Sequence, residues 1–405
     1  MTTTTTTHSG MPLPPSRSPA LGWAAVVAVT LGLFSIVTTE ILPIGLLTSI
    51  GADFTVSDGT AGLTMTMPGF LAALSAPLVT AATARIDRRL MLCTFMALLG
   101  AANLLAAAAP HYSLVLLSRI LVGITIGGFW SIGAGLAARL VPAPSVGRAT
   151  AIVFSAVPLG SVLGVPAGTL LGELAGWRAV FTAMAVLSLA VLLMLLLLLP
   201  KLPPPEPTRL STLRTLCRTT HTRYALLLTF LVVLAHFGTY TYVTPFLEQV
   251  THATPGRITL SLLIYGAAGI AGNFLGGALA ARRPRTTFGL AAALIAAATL
   301  LLPVLGRSTA GATALLVLWG VAYGAVPVSS QTWFAKAAPH APEAAAVLFT
   351  ASFQATLSLG ALTGGVVVDH TSLSTAMTLG ALTATCAAAA AWTHYARGRT
   401  WPGSR

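Results

Sequence analysis

Apolar residues in this chain come in runs of about twenty, separated by short stretches that hold almost every charge and most turn-forming residues. A helix needs roughly 20 residues to cross about 30 Å of hydrocarbon, and these runs lack the period-two alternation of strands. Twelve segments can be drawn, near residues 21–47, 60–81, 90–109, 114–136, 149–171, 179–199, 224–247, 258–280, 287–305, 311–334, 344–368 and 373–395. A helix closes its own backbone hydrogen bonds, the condition lipid imposes on any spanning element. The pattern predicts an all-α membrane protein with twelve transmembrane helices.

The longest polar stretch, residues 200–223, begins Pro-Lys-Leu-Pro-Pro-Pro-Glu-Pro and carries Arg209, Arg214, Arg218 and Arg223. It divides the chain into a six-helix bundle over residues 21–199 and a second over 224–395, with tails over 1–20 and 396–405. The Thr-rich, Pro-rich N-terminal tail reads as disordered, and the second part of the linker as a cationic helix on the membrane surface. The first apolar run is too long for a signal-peptide core and reads as an uncleaved span.

Composition strengthens the membrane reading: 55% of residues are hydrophobic and 8% charged, with mean hydropathy +0.85, against about 25% charged in a soluble domain. A net charge of +13 would suggest nucleic acid in a soluble protein. Here the bases sit in short loops facing anionic headgroups, so the expected partner is the bilayer and no nucleic acid. With the N-terminus in the cytoplasm, 18 of the 22 Lys and Arg fall on that side, three on the other, and Arg119 inside a span. That asymmetry places both termini in the cytoplasm. Arg outnumbers Lys twenty to two, a bias of GC-rich bacterial genomes, which points to a bacterial inner membrane. Cys93, Cys217 and Cys386 are isolated, so neither a disulfide framework nor a metal site is expected. The chain has no His-Glu-x-x-His motif, no P-loop and no convincing base for Ser131, so nothing supports an enzyme or a cofactor.

A shift of 197 residues lays Gly123, Gly127, Ala138, Arg139 and Pro142 on Gly320, Gly324, Ala335, Lys336 and Pro339, and Gly168 and Gly172 on Gly365 and Asp369. A slightly different offset lays Glu40 and Pro43 on Tyr242 and Pro245. Two pseudo-symmetric halves of common origin follow, and such duplication predicts a site near the bilayer midplane, opened alternately to each side.

Four motifs resemble the major facilitator superfamily and, within it, the twelve-span drug:proton antiporters that include sugar and chloramphenicol efflux permeases. The first segment, Thr38-Thr39-Glu40-Ile-Leu-Pro43, resembles the opening of the sugar-efflux members. The loop after the second segment matches the Gly-x-x-x-Asp-Arg-x-Gly-Arg-Arg signature at Arg85, Arg88 and Arg89, with Asp87 in place of glycine. Ser118-Arg119 through Gly123 and Gly127 resembles the motif whose buried arginine is linked to proton transfer. Gly160, Gly164, Pro166 and Gly168 resemble the antiporter motif, with its Gly-Pro pair interrupted by Val165. The resemblance implies the major facilitator fold, a monomer, the proton gradient as energy source, and efflux of a small molecule. Proton-coupled import uses the same scaffold.

A charge inside a span costs roughly 2.5–3.5 kcal/mol on insertion scales, so each requires a reason. Glu40 and Arg119 are the clear cases, each roughly 8–10 Å outward from the centre of its span. Their repeat partners are Tyr242 and Leu316, so the charges belong to one half alone. The expectation is a proton-coupling pair. The alternative is that Glu40 lies near the outer headgroups and Arg119 snorkels or caps a neighbouring helix. Asn103, Trp130, His236, Tyr240, Tyr242, Trp319, Tyr323, Gln331 and Gln354 are candidate cavity groups. Aromatic faces and neutral hydrogen-bonding groups suit an amphipathic, uncharged ligand.

Overall fold

A computed structural model of the chain describes residues 19–82, 86–133, 136–203, 216, 218–337 and 342–396. The first half runs α1 (Pro19–Ile41), α2 (Pro43–Phe54), α3 (Asp58–Ala61), α4 (Leu63–Ala82), α5 (Arg88–Ala107), α6 (Tyr112–Gly133), α7 (Ala137–Leu140), α8 (Val146–Ala175) and α9 (Trp177–Leu198). The second runs α10 (Thr220–Tyr240), α11 (Val243–Gln249), α12 (Pro255–Arg282), α13 (Pro284–Leu305), α14 (Thr309–Ala337), α15 (Pro342–His370) and α16 (Leu373–Ala396). Twelve helical stretches among the described residues are long and apolar enough to span a bilayer, and the chain is a multi-pass membrane protein.

Helices start where a side chain accepts from their otherwise free N–H groups. Ser57 accepts from the Thr60 amide ahead of α3, Asp87 from Arg89 ahead of α5, and Thr219 from Thr222 ahead of α10. Proline opens α2, α12 and α13, where a missing donor costs nothing.

Two of the expected segments are broken and longer than the apolar pattern suggests. The first stops at Ile41, resumes at Pro43 and continues to Phe54. The Thr39 carbonyl would bond to the amide of residue 43, and proline has none. The seventh starts at Thr220, breaks at Thr241 and Tyr242 just before Pro245, the repeat partner of Pro43, and ends at Gln249. Residues 220–223, expected in the linker, are thus the first turn of α10.

The duplication is visible in the packing. α4 lies on α6 as α12 lies on α14, α5 on α9 as α13 on α16, and α1 on α8 as α10 on α15. The register agrees to the residue. A Cβ on Gly123 would collide with the Pro68 carbonyl and one on Gly127 with the Ala72 carbonyl; the corresponding collisions are Gly320 with Tyr265 and Gly324 with Gly269. Each pair is displaced by the 197 residues of the sequence repeat. Close backbone approach through small residues is how helices associate in lipid, where no hydrophobic drive operates between them. Leu78, Leu174, Leu197 and Phe274 face outward, as a lipid-facing belt requires.

The halves meet along two related seams, α4 against α15 and α8 against α12. The ends of the bundle differ. One end carries the linker, whose first residues are tied down by Asp87 Oδ2 accepting from the Leu202 amide at 2.9 Å and by Arg139 donating to the Pro203 carbonyl at 2.7 Å. The far end carries the α2–α3 and α11–α12 turns and the C-terminus of α15.

Candidate functional site at the seam of the two halves

Arg119 is fully buried on α6 and donates only to main-chain oxygens. Its Nε reaches the Thr64 carbonyl at 2.9 Å, and its Nη2 reaches the Thr39 and Glu40 carbonyls at 3.0 Å each. Proline explains the targets. Pro43 removes the amide that Thr39 would bond, and Pro68, inside α4, removes the one that Thr64 would bond. One guanidinium, rigid and five-donored, therefore closes the two gaps that proline opens in α1–α2 and α4. The structure makes Arg119 a brace for both proline-bearing spans. Arg178 and Asp53 form an ion pair at the far end. Arg119 Nη1 remains buried and unpartnered.

Glu40 sits beside the break in α1 and is 7% exposed. Because the helix continues through Pro43 to Phe54, Glu40 lies only roughly 5 Å from the middle of the combined α1–α2 rod, closer to the midplane than the sequence estimate. Its Oε1 accepts from Gln354 Nε2 of α15 at 2.8 Å, so the buried acid of one half is held by an amide of the other. Asn103 Nδ2 donates to Thr39 Oγ1 at 3.3 Å, tying α5 to the same turn. Thr38 Oγ1, Asn103 Oδ1, Gln354 Oε1 and Ser358 Oγ are buried without partners, as is Arg119 Nη1. An unsatisfied buried polar group costs about 1–3 kcal/mol, so these atoms along the seam are groups that a polar partner would stabilise.

The second half meets this cluster with aromatic rings. His236 of α10 stacks on Tyr323 of α14 and on Tyr240, and Tyr240 stacks on Tyr265 of α12 at 4.5 Å between centroids. Trp319 packs edge-on against His236, Tyr240 and Tyr265, and donates its indole N–H to His236 Nδ1 at 3.1 Å. That bond fixes the imidazole's orientation. Tyr265, not singled out by the sequence, is the repeat partner of Pro68, and that alignment was the available signal.

The antiporter-like residues pack as one stripe of α8. Gly160 and Gly164 lie against Val37 and Thr38, Gly168 against Leu42, and Gly172 against Leu46. The stripe thus runs along the turn that carries Glu40 and its break. Pro166 is buried in the same helix. In the loop motif, Asp87 caps α5 and holds the linker, Arg88 Nη1 donates to Met91 Sδ at 3.3 Å, and Arg89 donates to the Leu196 carbonyl. Arg85 lies outside the described residues.

Three candidate cavity groups lie elsewhere. Tyr242 is fully buried and donates to the Ala361 carbonyl at 2.7 Å, next to Gly62 and Gly365; it seals the far end, and no ligand face is left to it. Trp130 and Gln331 sit roughly 16 and 12 Å toward the linker end from Arg119 and Tyr323, Trp130 half-buried in the first half's core and Gln331 exposed.

Among the described residues, the hydrogen bonds that join the halves cluster from the midplane to the far end. Asp369 of α15 accepts from Ser57 Oγ at 2.6 Å and the Gly59 amide at 2.9 Å, so the second half caps a helix of the first. Gln249 donates to Asp58 at 2.8 Å, Thr48 to Glu248 at 3.1 Å, Thr259 to Glu173 at 3.2 Å and Thr244 to the Ile44 carbonyl at 2.8 Å. Here the bundle is latched shut. Sequence reasoning counted bases and missed these acids, although five of the nine carboxylates, Asp53, Asp58, Glu173, Glu248 and Asp369, fall in the arginine-poor turns.

Comparison with known proteins agrees with this architecture. Residues 28–365 match the family model of the Major Facilitator Superfamily. The chain is 34% identical over 353 residues to the Pseudomonas aeruginosa protein named transcription regulatory protein OpdE, covering 86% of this chain and 88% of that one. It is 31% identical over 357 residues to the purine ribonucleoside efflux pump NepI of Salmonella paratyphi A, covering 88% and 90%. The fold matches a bacterial homolog of the human lysosomal transporter Spinster in its inward-facing, occupied conformation, with a TM-score of 0.73 at 17% identity over 95% of this chain and 98% of that one. It also matches the human organic anion transporter MFSD10 (TETRAN), with a TM-score of 0.63 at 18% identity over 94% and 100%. A duplicated twelve-span bundle with a polar site at its central seam, matched by the family model across most of its length, makes this chain a transporter of the Major Facilitator Superfamily.

Proposed function

We propose that the chain exports a small, uncharged or amphipathic molecule in exchange for protons, its halves rocking about the central seam. The observation that carries this reading is the hydrogen bond from Gln354 to Glu40, which holds an acid of one half against a neutral amide of the other amid unpartnered polar atoms. Burial in an apolar seam favours a neutral carboxyl, and an approaching guanidinium favours an ionised one. Rocking that changes the distance between Glu40 and the free Nη1 of Arg119 would load and release a proton. One proton moving inward yields about 2.3 kcal/mol per 100 mV and about 1.4 kcal/mol per pH unit, enough for a substrate gradient of a few hundredfold. No cofactor is called for.

The aromatic wall and the neutral polar cluster together favour a planar, hydroxylated substrate. A ring can stack on the outer face of Tyr323, the partly exposed end of the stack, and hydroxyls suit Asn103, Ser358 and Thr38. The Salmonella relatives named purine ribonucleoside efflux pumps point the same way, so purine nucleosides are the first substrates to test, ahead of sugars and drugs. The excess of bases at the linker end supports a bacterial inner membrane with both termini cytoplasmic. The latched far end is then periplasmic, and the conformation described here is the inward-facing one.

The test is transport in proteoliposomes loaded with labelled adenosine. An imposed proton gradient should drive adenosine against its concentration gradient, opposite in direction to the protons, and Glu40→Gln should abolish that uphill movement. Proton-driven efflux that survives in the Glu40→Gln protein would remove Glu40 from the mechanism. Movement in the same direction as the protons would make the chain an importer.

A further inference from the structure

Gln354 has one half of its amide engaged and the other idle. Nε2 donates to Glu40 Oε1 at 2.8 Å, while Oε1 is buried and has no partner. The donor suits an ionised carboxylate, which only accepts. A protonated carboxyl carries an O–H, and its better partner at the same position is the amide oxygen. The two ends of a glutamine amide are nearly the same size, and its terminal torsion is broad and roughly two-fold, so the exchange needs a half-turn of one bond and no movement of either helix.

We propose that Gln354 is a two-position amide switch that converts the protonation state of Glu40 into the hydrogen-bonding character of the substrate site. With Glu40 ionised, the amide oxygen is left for the site and accepts from a substrate hydroxyl or exocyclic amine. When a proton arrives from water on the Glu40 carboxylate, the new O–H donates to Gln354 Oε1. The NH2 then turns toward the site, where it opposes a substrate donor. Proton and substrate thus exclude each other without sharing an atom. This rests on the reading of Glu40 as the proton carrier, and it assigns to the second half a specific part in coupling.

The surroundings leave this exchange to Glu40 and Gln354. Arg119 from α6 has three of its hydrogen bonds committed to carbonyls, and Thr64 and Thr66 from α4 are neutral. Tyr323 from α14 carries His236 from α10 stacked on it. On α8 the glycines of the stripe face Val37, Thr38, Ile41 and Leu42, the neighbours of Glu40 in sequence. Ser358, one turn along α15 from Gln354, supplies a further unpartnered hydroxyl.

Infrared difference spectra of the full chain in lipid, acid minus neutral, read this switch without any substrate. The chain has three glutamines, Gln249, Gln331 and Gln354, so carbon-13 glutamine labelling isolates the amide bands. The expected spectrum pairs a carboxylic-acid C=O band, absent in Glu40→Gln, with a glutamine C=O band that moves to lower wavenumber on acidification. In Gln354→Met the glutamine shift should vanish and the acid band should remain but move to higher wavenumber, having lost its acceptor. An acid band unmoved in Gln354→Met, or a glutamine band unmoved in the labelled unaltered protein, overturns the switch while leaving Glu40 as proton carrier. An acid band that persists unchanged in Glu40→Gln overturns the coupling reading beneath it. The labelled wild-type protein decides the matter even if a variant fails to fold.

Discussion

The two halves share one scaffold and fill its central positions with opposite chemistry. Where the first half has Glu40, Arg119 and Pro68, the second has Tyr242, Leu316 and Tyr265. In the first half, proline removes an amide from each of two spans, and a buried arginine closes both gaps and donates to the main chain at the acid. In the second, α12 has tyrosine where α4 has Pro68, no such gap opens there, and the position joins a stack of rings. Packing alone would treat the repeats alike, as it does at Gly123 and Gly320. The asymmetry is what the proposed division of tasks calls for: proton handling in the first half and substrate contact in the second, with Gln354 reaching between them.

The largest effect that would break this division is at the acid. Glu40→Gln should reduce proton-driven uphill efflux at least about a hundredfold, the scale of two pH units of driving force, while adenosine exchange at equal concentrations continues. Uphill rate against exchange rate in the same vesicles is the measurement.

Next comes the brace. Arg119→Met should destabilise the protein by at least about 3 kcal/mol by leaving buried carbonyls unsatisfied, read as a drop in the denaturation midpoint in detergent. Adding Pro43→Ala and Pro68→Ala returns the missing amides and should recover at least half of that loss. If the prolines give no recovery, Arg119 is not bracing these helices.

The aromatic half should respond differently. Trp319→Phe removes the indole N–H that orients His236, and should weaken adenosine binding roughly three- to tenfold, about 0.5–1.5 kcal/mol. The proton count per adenosine should stay unchanged, because the proposed carrier is Glu40 and not a ring of this cluster. The smallest effect belongs to the far-end latch: Asp369→Asn weakens the capping of α3 and should shift the conformational balance outward by about 1 kcal/mol, some fivefold. Faster labelling of a cysteine placed at Ser49 reports that shift.

Much of this was legible in the residues. Run length drew the twelve spans, base counts told the two ends of the bundle apart, and the 197-residue repeat appears in three dimensions at Gly123, Gly127, Gly320 and Gly324. Glu40 and Arg119 stood out because a charge in lipid demands a reason. Their relation did not, because the arginine's targets are carbonyls, which every residue has; only the positions of Pro43 and Pro68 hinted at them. Gln354 lies 314 residues from Glu40 and its pairing crosses the seam, beyond the reach of any local pattern. The hydrogen bond of Tyr242 to Ala361 was not legible, because a buried tyrosine has the same letter whether it lines a cavity or closes a turn. The acids of the far end were overlooked because the topology rule weighs bases alone.

The most direct test of the split between a proton-handling half and a substrate-contacting half is proton release on ligand binding. Purified full-length protein in weak buffer, mixed with saturating adenosine near the pH where Glu40 is half protonated, should release a measurable fraction of one proton per molecule. Glu40→Gln should release none, and Trp319→Phe the same amount as wild type once saturated. Undiminished release from Glu40→Gln, or release that disappears in saturated Trp319→Phe, would contradict the assignment of the proton to the first half.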